Sequence, residues 1–196
     1  MSEAVLLGAT PSQTVGPYLH IGLTDPIGLN ITELAPAGVA GERIVLQGQL
    51  IDADGLPVPD GMIEIWQANS HGKYAHPDDV RNLPLDAGFA GFGRTPTDAE
   101  GRFRFATIKP GPVPDRQGRL QAPHIMVNIF ARGLIKQLVS RVYFEGDELV
   151  ADPVLQQVPA ERRSTLIASK AAAEPASFSW RIVLNGSVDE TVFFDL

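Results

Sequence analysis

Hydrophobic and polar positions alternate with a period of two over several short stretches of the chain, as expected of strands that bury one face. Ile44 to Ile51 alternates in this way and runs into Asp52-Ala53-Asp54-Gly55, a turn whose glycine can take positive φ without a Cβ clash. Gly61 to Ala68 reads as a second strand, with Ile63 and Ile65 on one face and Met62, Glu64 and Trp66 on the other. A second turn of the same kind, Asp98-Ala99-Glu100-Gly101, leads into Arg102-Phe103-Arg104-Phe105, where alternation turns both phenylalanines inward and both arginines outward. Further strands are predicted at His124 to Ala131, Leu138 to Glu145, Phe178 to Leu184 and Thr191 to Phe194. One helix is predicted, from Ala160 to Ala173, where arginines, Lys170 and alanines favour helix and Pro175 stops it.

Residues 1 to 40 read as a loop-like N-terminal arm, because Gly16-Pro17, Asp25-Pro26 and Ala35-Pro36-Ala37-Gly38 break every incipient period. Residues 41 to 196 then form the remainder of a single domain. Composition supports many turns and few long helices: 19 Gly and 16 Pro among 196 residues exceed the usual combined share of about 12%. A mainly β fold with a β-sandwich core, long loops, an N-terminal arm and one short helix is therefore expected.

Charge and cysteine content narrow the chemistry. A formal charge of −7 and a pI near 5.0 give no electrostatic reason to bind nucleic acid or an anionic membrane. The absence of cysteine removes disulfides, thiolate metal sites and cysteine nucleophiles, so that His, Tyr, Asp or Glu must hold any metal. No segment approaches the ~18 apolar residues of a membrane span, and the start lacks the basic and apolar regions of a leader, so a cytoplasmic protein is expected. No glycine-rich phosphate loop and no Gly-x-Ser-x-Gly elbow are present.

Four places carry residues capable of chemistry. His71-Gly72-Lys73-Tyr74-Ala75-His76 offers three potential ligands, yet an extended segment puts His71 opposite Tyr74 and His76, so one compact site needs a turn at Gly72. In itself the segment reads as a polar loop. A strand at His124-Ile125-Met126 aims His124 and Met126 to one side, and an isolated histidine there reads as a buried, hydrogen-bonded imidazole. Trp66 and Trp180 read as core aromatics. Arg132, at the end of an apolar strand, is either paired with a nearby carboxylate or aimed at a ligand carboxylate.

Trp66-Gln67-Ala68-Asn69 with Gly72-Lys73-Tyr74, Gly93-Arg94-Thr95-Pro96-Thr97-Asp98, Ile108-Lys109-Pro110-Gly111, Ala122-Pro123-His124-Ile125 and Tyr143-Phe144-Glu145-Gly146-Asp147 occur in this order. In these motifs the chain resembles the intradiol ring-cleavage dioxygenases. The resemblance implies a β-sandwich and, in catalytic chains, a ferric iron held by two tyrosines and two histidines. Tyr74 and His124 fall on two of these positions, whereas Val113 and Met126 stand at the other two. Valine offers no donor and methionine only a soft, neutral sulfur, so no competent ferric site is expected in this chain.

Some members of the family pair an iron-free alpha chain with an iron-bearing beta chain, and the donor loss resembles alpha. The resemblance then implies an obligate, homologous catalytic beta chain that carries Fe(III), within a larger symmetric hetero-oligomer. It also implies protocatechuate and O2 as substrates at a shared site. Gly16, Pro17 and Tyr18 would border the partner's pocket, and Arg132 would meet the substrate carboxylate. Two alternatives remain: a stand-alone dioxygenase with an iron site rebuilt from His71, Tyr74, His76 and His124, and a transthyretin-like module used for binding or assembly.

Overall fold

A computed structural model describes residues 8–24, 31–171, 176–186 and 189–195. The start of the chain, the Asp25-Pro26 break and the stop at Pro175 lie outside the described residues. The strands are β1 (Arg43–Ile51), β2 (Met62–Trp66), β3 (Phe92–Pro96), β4 (Arg102–Ile108), β5 (Val113–Pro114), β6 (Leu120–Gln121), β7 (Ile125–Phe130), β8 (Leu138–Phe144), β9 (Ile167–Lys170) and β10 (Ser177–Val183). Eight of them form one sheet in the order β3-β2-β7-β8-β9-β10-β1-β4, and β5 pairs with β6 in a separate hairpin. The β1–β10 and β8–β9 pairs are parallel and the other strand pairs antiparallel.

The large sheet doubles back on itself. Ile63 and Ile65 of β2, Ile125, Val127 and Ile129 of β7, and Val142 and Phe144 of β8 meet Leu46, Phe103, Phe105, Phe178 and Trp180 from the other layer in one core. The expected mainly β sandwich is borne out, and so is the inward turn of Phe103 and Phe105 between exposed Arg102 and Arg104. Burying each such side chain contributes about 1.5–3 kcal/mol. The edge of Phe144 meets the ring of Phe178 at 4.9 Å, and Trp180 Nε1 donates to the Thr165 carbonyl at 2.9 Å.

Asp-x-x-Gly turns form where the sequence predicts them, after β1 and between β3 and β4, strands that follow one another in the chain without pairing in the sheet. Asp52 Oδ1 accepts from Asp54 N and Leu56 N, and Asp98 Oδ1 accepts from Glu100 N and Arg102 N. Asp115 repeats the device in the β5–β6 hairpin, accepting from Gln117 N and Arg119 N.

The helix expected from Ala160 to Ala173 is corrected. Ala160–Leu166 is a 3-10 helix and Ile167–Lys170 is strand β9, which joins β8 to β10. The backbone groups of β8 and β10 need partners, and Ala168 enters the core while Leu166 packs beside Tyr143 and Leu155. Those tertiary demands outweigh local helix propensity, which is a weak preference per residue. Among the described residues the one short α-helix is instead Tyr18–Leu23, α1, within the N-terminal segment. Strand β3 was not anticipated because Gly93 and Pro96 weaken a strand pattern, and Thr191–Phe194 makes only an isolated bridge, Phe194 to Val139.

The later part of the N-terminal segment is tied to both edges of the large sheet. Ile31 and Arg94 exchange backbone bonds at 2.8 and 3.0 Å beside β3, and Leu34 N donates to the Ala106 carbonyl on β4 at 2.9 Å. Leu34 itself is buried in the core. Among the described residues no helix is long and apolar enough to cross a membrane.

Candidate functional site

Alternation along β7 sends Ile125, Val127 and Ile129 inward, so His124, Met126 and Asn128 lie on the outer face of the sheet. On that face the cross-strand register sets Met126 between Trp66 of β2 and Arg141 of β8. The Tyr74 ring stacks on Trp66 at 5.9 Å with an interplanar angle of 8°, and the His124 ring lies 6.0 Å from Tyr143. Val113 pairs with Gln121, whose Oε1 accepts from Arg141 Nη1 at 2.5 Å. Met126 therefore lies across from Arg141, whose charge also reaches Tyr74 and His124, while Val113 pairs with the Gln121 that holds the guanidinium.

Two loops bring Tyr74 there. The chain turns at Gly72, whose φ of +74° and 2.2 Å approach of an added Cβ to the Pro112 carbonyl leave room for glycine only. The Asn69 side chain caps this turn, its Oδ1 accepting from His71 N and Lys73 N and its Nδ2 donating to Asp86 Oδ2 at 2.7 Å. Gly111 N donates to the Asn69 carbonyl at 2.8 Å, which joins the second loop to the first. Gln67 completes the bracket, accepting from Thr107 Oγ1 and donating to the Ile108 carbonyl. Lys109 pairs with Asp147 and lies over the Phe144 ring. The motifs that carry the family resemblance are thus mostly braces between loops.

The environment at this site disfavours extra charge. Burial holds His124 in its neutral form, its pKa lowered to about 4, with the Arg141 charge acting in the same direction. Its Nδ1 lies 2.8 Å from the Ala122 carbonyl. Burial raises the Tyr74 phenol while Arg141 and Arg81 pull it down. Burial also pushes Tyr143 above its ordinary value; its hydroxyl donates to Asp152 Oδ1 at 3.0 Å. A phenol, a tethered imidazole, a thioether and an aliphatic side chain beside a permanent cation do not fit a ferric ion. Among the described residues no three of His, Asp or Glu cluster as metal ligands. His71 and His76 are exposed, and the His76 ring meets Trp66 at right angles at 6.4 Å.

A second place lies just beyond the other end of β7. Val15, Gly16, Pro17, Leu19, Asp60 and Arg132 line a depression of about 40 Å³. Thr14 Oγ1 accepts from Gly133 N at 2.8 Å and fastens the N-terminal segment beside Arg132. Arg132 Nη2 lies 3.7 Å from Asp60 Oδ2, and Arg132 is 65% exposed. The structure thus joins Gly16, Pro17 and Arg132, and leaves the Tyr18 ring 79% exposed. Sequence reasoning missed two residues. Asp60 takes a φ of +61°, the one positive φ outside glycine among the described residues, and its signal was the Pro59-Asp60-Gly61 turn. Arg141 was visible only as a charge in the middle of a predicted strand.

A trough of about 1030 Å³ over Gln47, Gln49, Arg102, Arg104 and Arg181 is lined by none of the residues of these two places.

A family described as dioxygenase matches residues 26–186. The chain belongs to this dioxygenase family. As a dioxygenase-family chain it is 41% identical to the protocatechuate 3,4-dioxygenase alpha chain of Burkholderia cepacia over 97% of its length and 98% of that chain. To the beta chain from the same organism it is 45% identical, over 65% of its length and 55% of that chain. The intradiol ring-cleavage dioxygenase of Tetranychus urticae superposes with a TM-score of 0.61 at 17% identity, over 92% of this chain and 98% of that one, which supports the fold. The resemblance to intradiol dioxygenases read from the sequence is borne out.

Proposed function

We propose that the chain is the alpha-type subunit of a cytoplasmic protocatechuate 3,4-dioxygenase, a hetero-oligomer that opens 3,4-dihydroxybenzoate with dioxygen to 3-carboxy-cis,cis-muconate. A single domain is proposed, with residues 1 to 40 as an arm and 41 to 196 as the sandwich. The observation that carries this reading is the end-to-end match to an alpha chain, which spans 98% of that relative. The donor set supports it, because Val113 and Met126 leave the remnant site without a competent ferric ligand sphere.

Ferric iron held by a homologous beta-type chain would supply the activation of the catecholate toward dioxygen. This chain's own residues bind and orient. The Arg132 guanidinium presents a planar fork that matches a carboxylate with two parallel hydrogen bonds, which selects a benzoate over an uncharged catechol. Its 3.7 Å contact with Asp60 is loose enough for a substrate carboxylate to replace. The exposed Tyr18 phenol is free to offer a hydrogen bond to a substrate, beside the Gly16-Pro17 turn. Orientation of this kind contributes several kcal/mol to a barrier.

The assembled enzyme tests the proposal. Arg132→Ala should raise KM for protocatechuate about 10- to 100-fold, equivalent to the ~1.5–3 kcal/mol of a charged hydrogen bond, while kcat for an uncharged catechol holds. An unchanged KM refutes the role of Arg132. Stoichiometric iron and turnover by this chain alone refute the subunit reading.

A further inference from the structure

The remnant site has lost two donors, and a guanidinium stands beside one of the vacated positions, Met126, and is held by the cross-strand neighbour of the other, Val113. Arg141 neighbours Met126 across β7 and β8, and its Nη1 is held by Gln121, the cross-strand neighbour of Val113. It is therefore fixed between the two positions where donors are missing. Met126 also separates it from Trp66, against which Tyr74 stacks. The nearby carboxylates are engaged elsewhere: Asp79 by Arg81 and Lys73, and Asp152 by Tyr143 and the backbone nitrogens of Ala122, Val154 and Leu155.

We propose that Arg141 is a built-in cation of the remnant site, which takes over the electrostatic place of a metal among Tyr74, His124, Val113 and Met126 and bars metal ions from it. Arginine suits this role because it stays protonated when buried, whereas a lysine shifts its pKa and can shed its charge. Repulsion at a given distance grows with the charge of the incoming ion, so a trivalent ion is opposed most. The lowering effect of Arg141 on Tyr74, His124 and Tyr143 is that of a cation close to all three. Loss of the site on this view has two parts, removal of donors and installation of a charge, and restoring the donors alone does not recover it. The inference rests on family membership and not on the alpha-subunit reading, so either can fail without the other.

The test restores the donors in the full chain. Val113→Tyr with Met126→His is compared with the same pair carrying Arg141→Gln and with the same pair carrying Arg141→Lys. Each is titrated with ferric iron and read by tyrosinate-to-iron absorption and by bound iron after desalting. The Gln variant should bind at least about tenfold more tightly than the other two, because it alone lacks a cation at this position. Equal binding by the pair with and without Arg141→Gln, or no binding by any of them, overturns the proposal.

The Lys variant separates charge from size, since it keeps a cation on a slimmer head; iron binding as tight as in the Gln variant overturns the electrostatic reading. Should the multiple variants not fold, the single Arg141→Gln exchange decides. It should take up copper(II) through Tyr74 and His124 where the native chain does not, and lose that uptake when His124→Phe is added. Equal uptake by the native and Arg141→Gln chains overturns the proposal.

Discussion

At the start of β7, His124 is 3% exposed with its Nδ1 beside a carbonyl and its neighbours bonded to one another. Just past the other end of the same strand, Arg132 is 65% exposed and touches Asp60 only at 3.7 Å. At the first end His124 Nδ1, Gln121, Arg141, Tyr143 and Asp152 spend hydrogen bonds inside the molecule. At the second end a cation, a tight backbone turn and a phenol remain available. One end of the strand is a brace, while the other keeps the exposed polar groups proposed above for substrate recognition.

Breaking the closed end should have the largest effect. Asp152 accepts from Ala122 N, Leu155 N, Val154 N and the Tyr143 hydroxyl, so Asp152→Ala strands several buried donors. We expect a loss of about 3–5 kcal/mol in denaturant unfolding; a loss under ~1 kcal/mol means the closed end is braced some other way. Gly72→Ala comes next, at about 2–4 kcal/mol, because it combines a left-handed φ with a clash at the Pro112 carbonyl. The same change should weaken Tyr74 stacking, visible as a shift in Trp66 fluorescence.

A smaller effect concerns pH. Hydrogen bonds from Arg81 hold the Asp79 carboxyl well below the usual carboxylate range. The stability this gives is fully present above the ordinary carboxylate pKa of about 4 and drains away as pH falls through it toward the depressed folded value. Urea midpoints measured from neutral to acid pH should therefore fall less steeply below about pH 4 in Asp79→Asn than in the native chain; identical slopes would count against the pair. The smallest effect belongs to the open end. Asp60→Asn removes an exposed ion pair and should change stability by less than ~0.5 kcal/mol. In the assembled enzyme it should lower KM for protocatechuate a few-fold by releasing Arg132, and a raised KM would show that Asp60 assists binding.

Much of the fold was legible because the strands alternate and the Asp-x-x-Gly turns carry their own side-chain acceptor. Strand β9 was not legible, since alanines, Arg162 and Arg163 favour a helix locally and only the unfilled edges of β8 and β10 demand a strand. Strand β3 was hidden by Gly93 and Pro96. At the site, the chemistry of Val113 and Met126 could be read residue by residue, for a missing donor is a property of one side chain. The place of Arg141 could not, because it arises from the β7–β8 register and from a hydrogen bond to a residue 20 positions away. Asp60 was equally out of reach, its meeting with Arg132 being a product of tertiary approach.

The backbone bonds from Ile31 and Leu34 to β3 and β4 bear on how such a chain can assemble. An uncovered outer strand is a template on which another polypeptide can add its own. Here the molecule lays its own segment across part of both outermost strands, through isolated bridges at Arg94 and Ala106. At those positions a neighbouring chain meets side chains and loops in place of a free backbone edge.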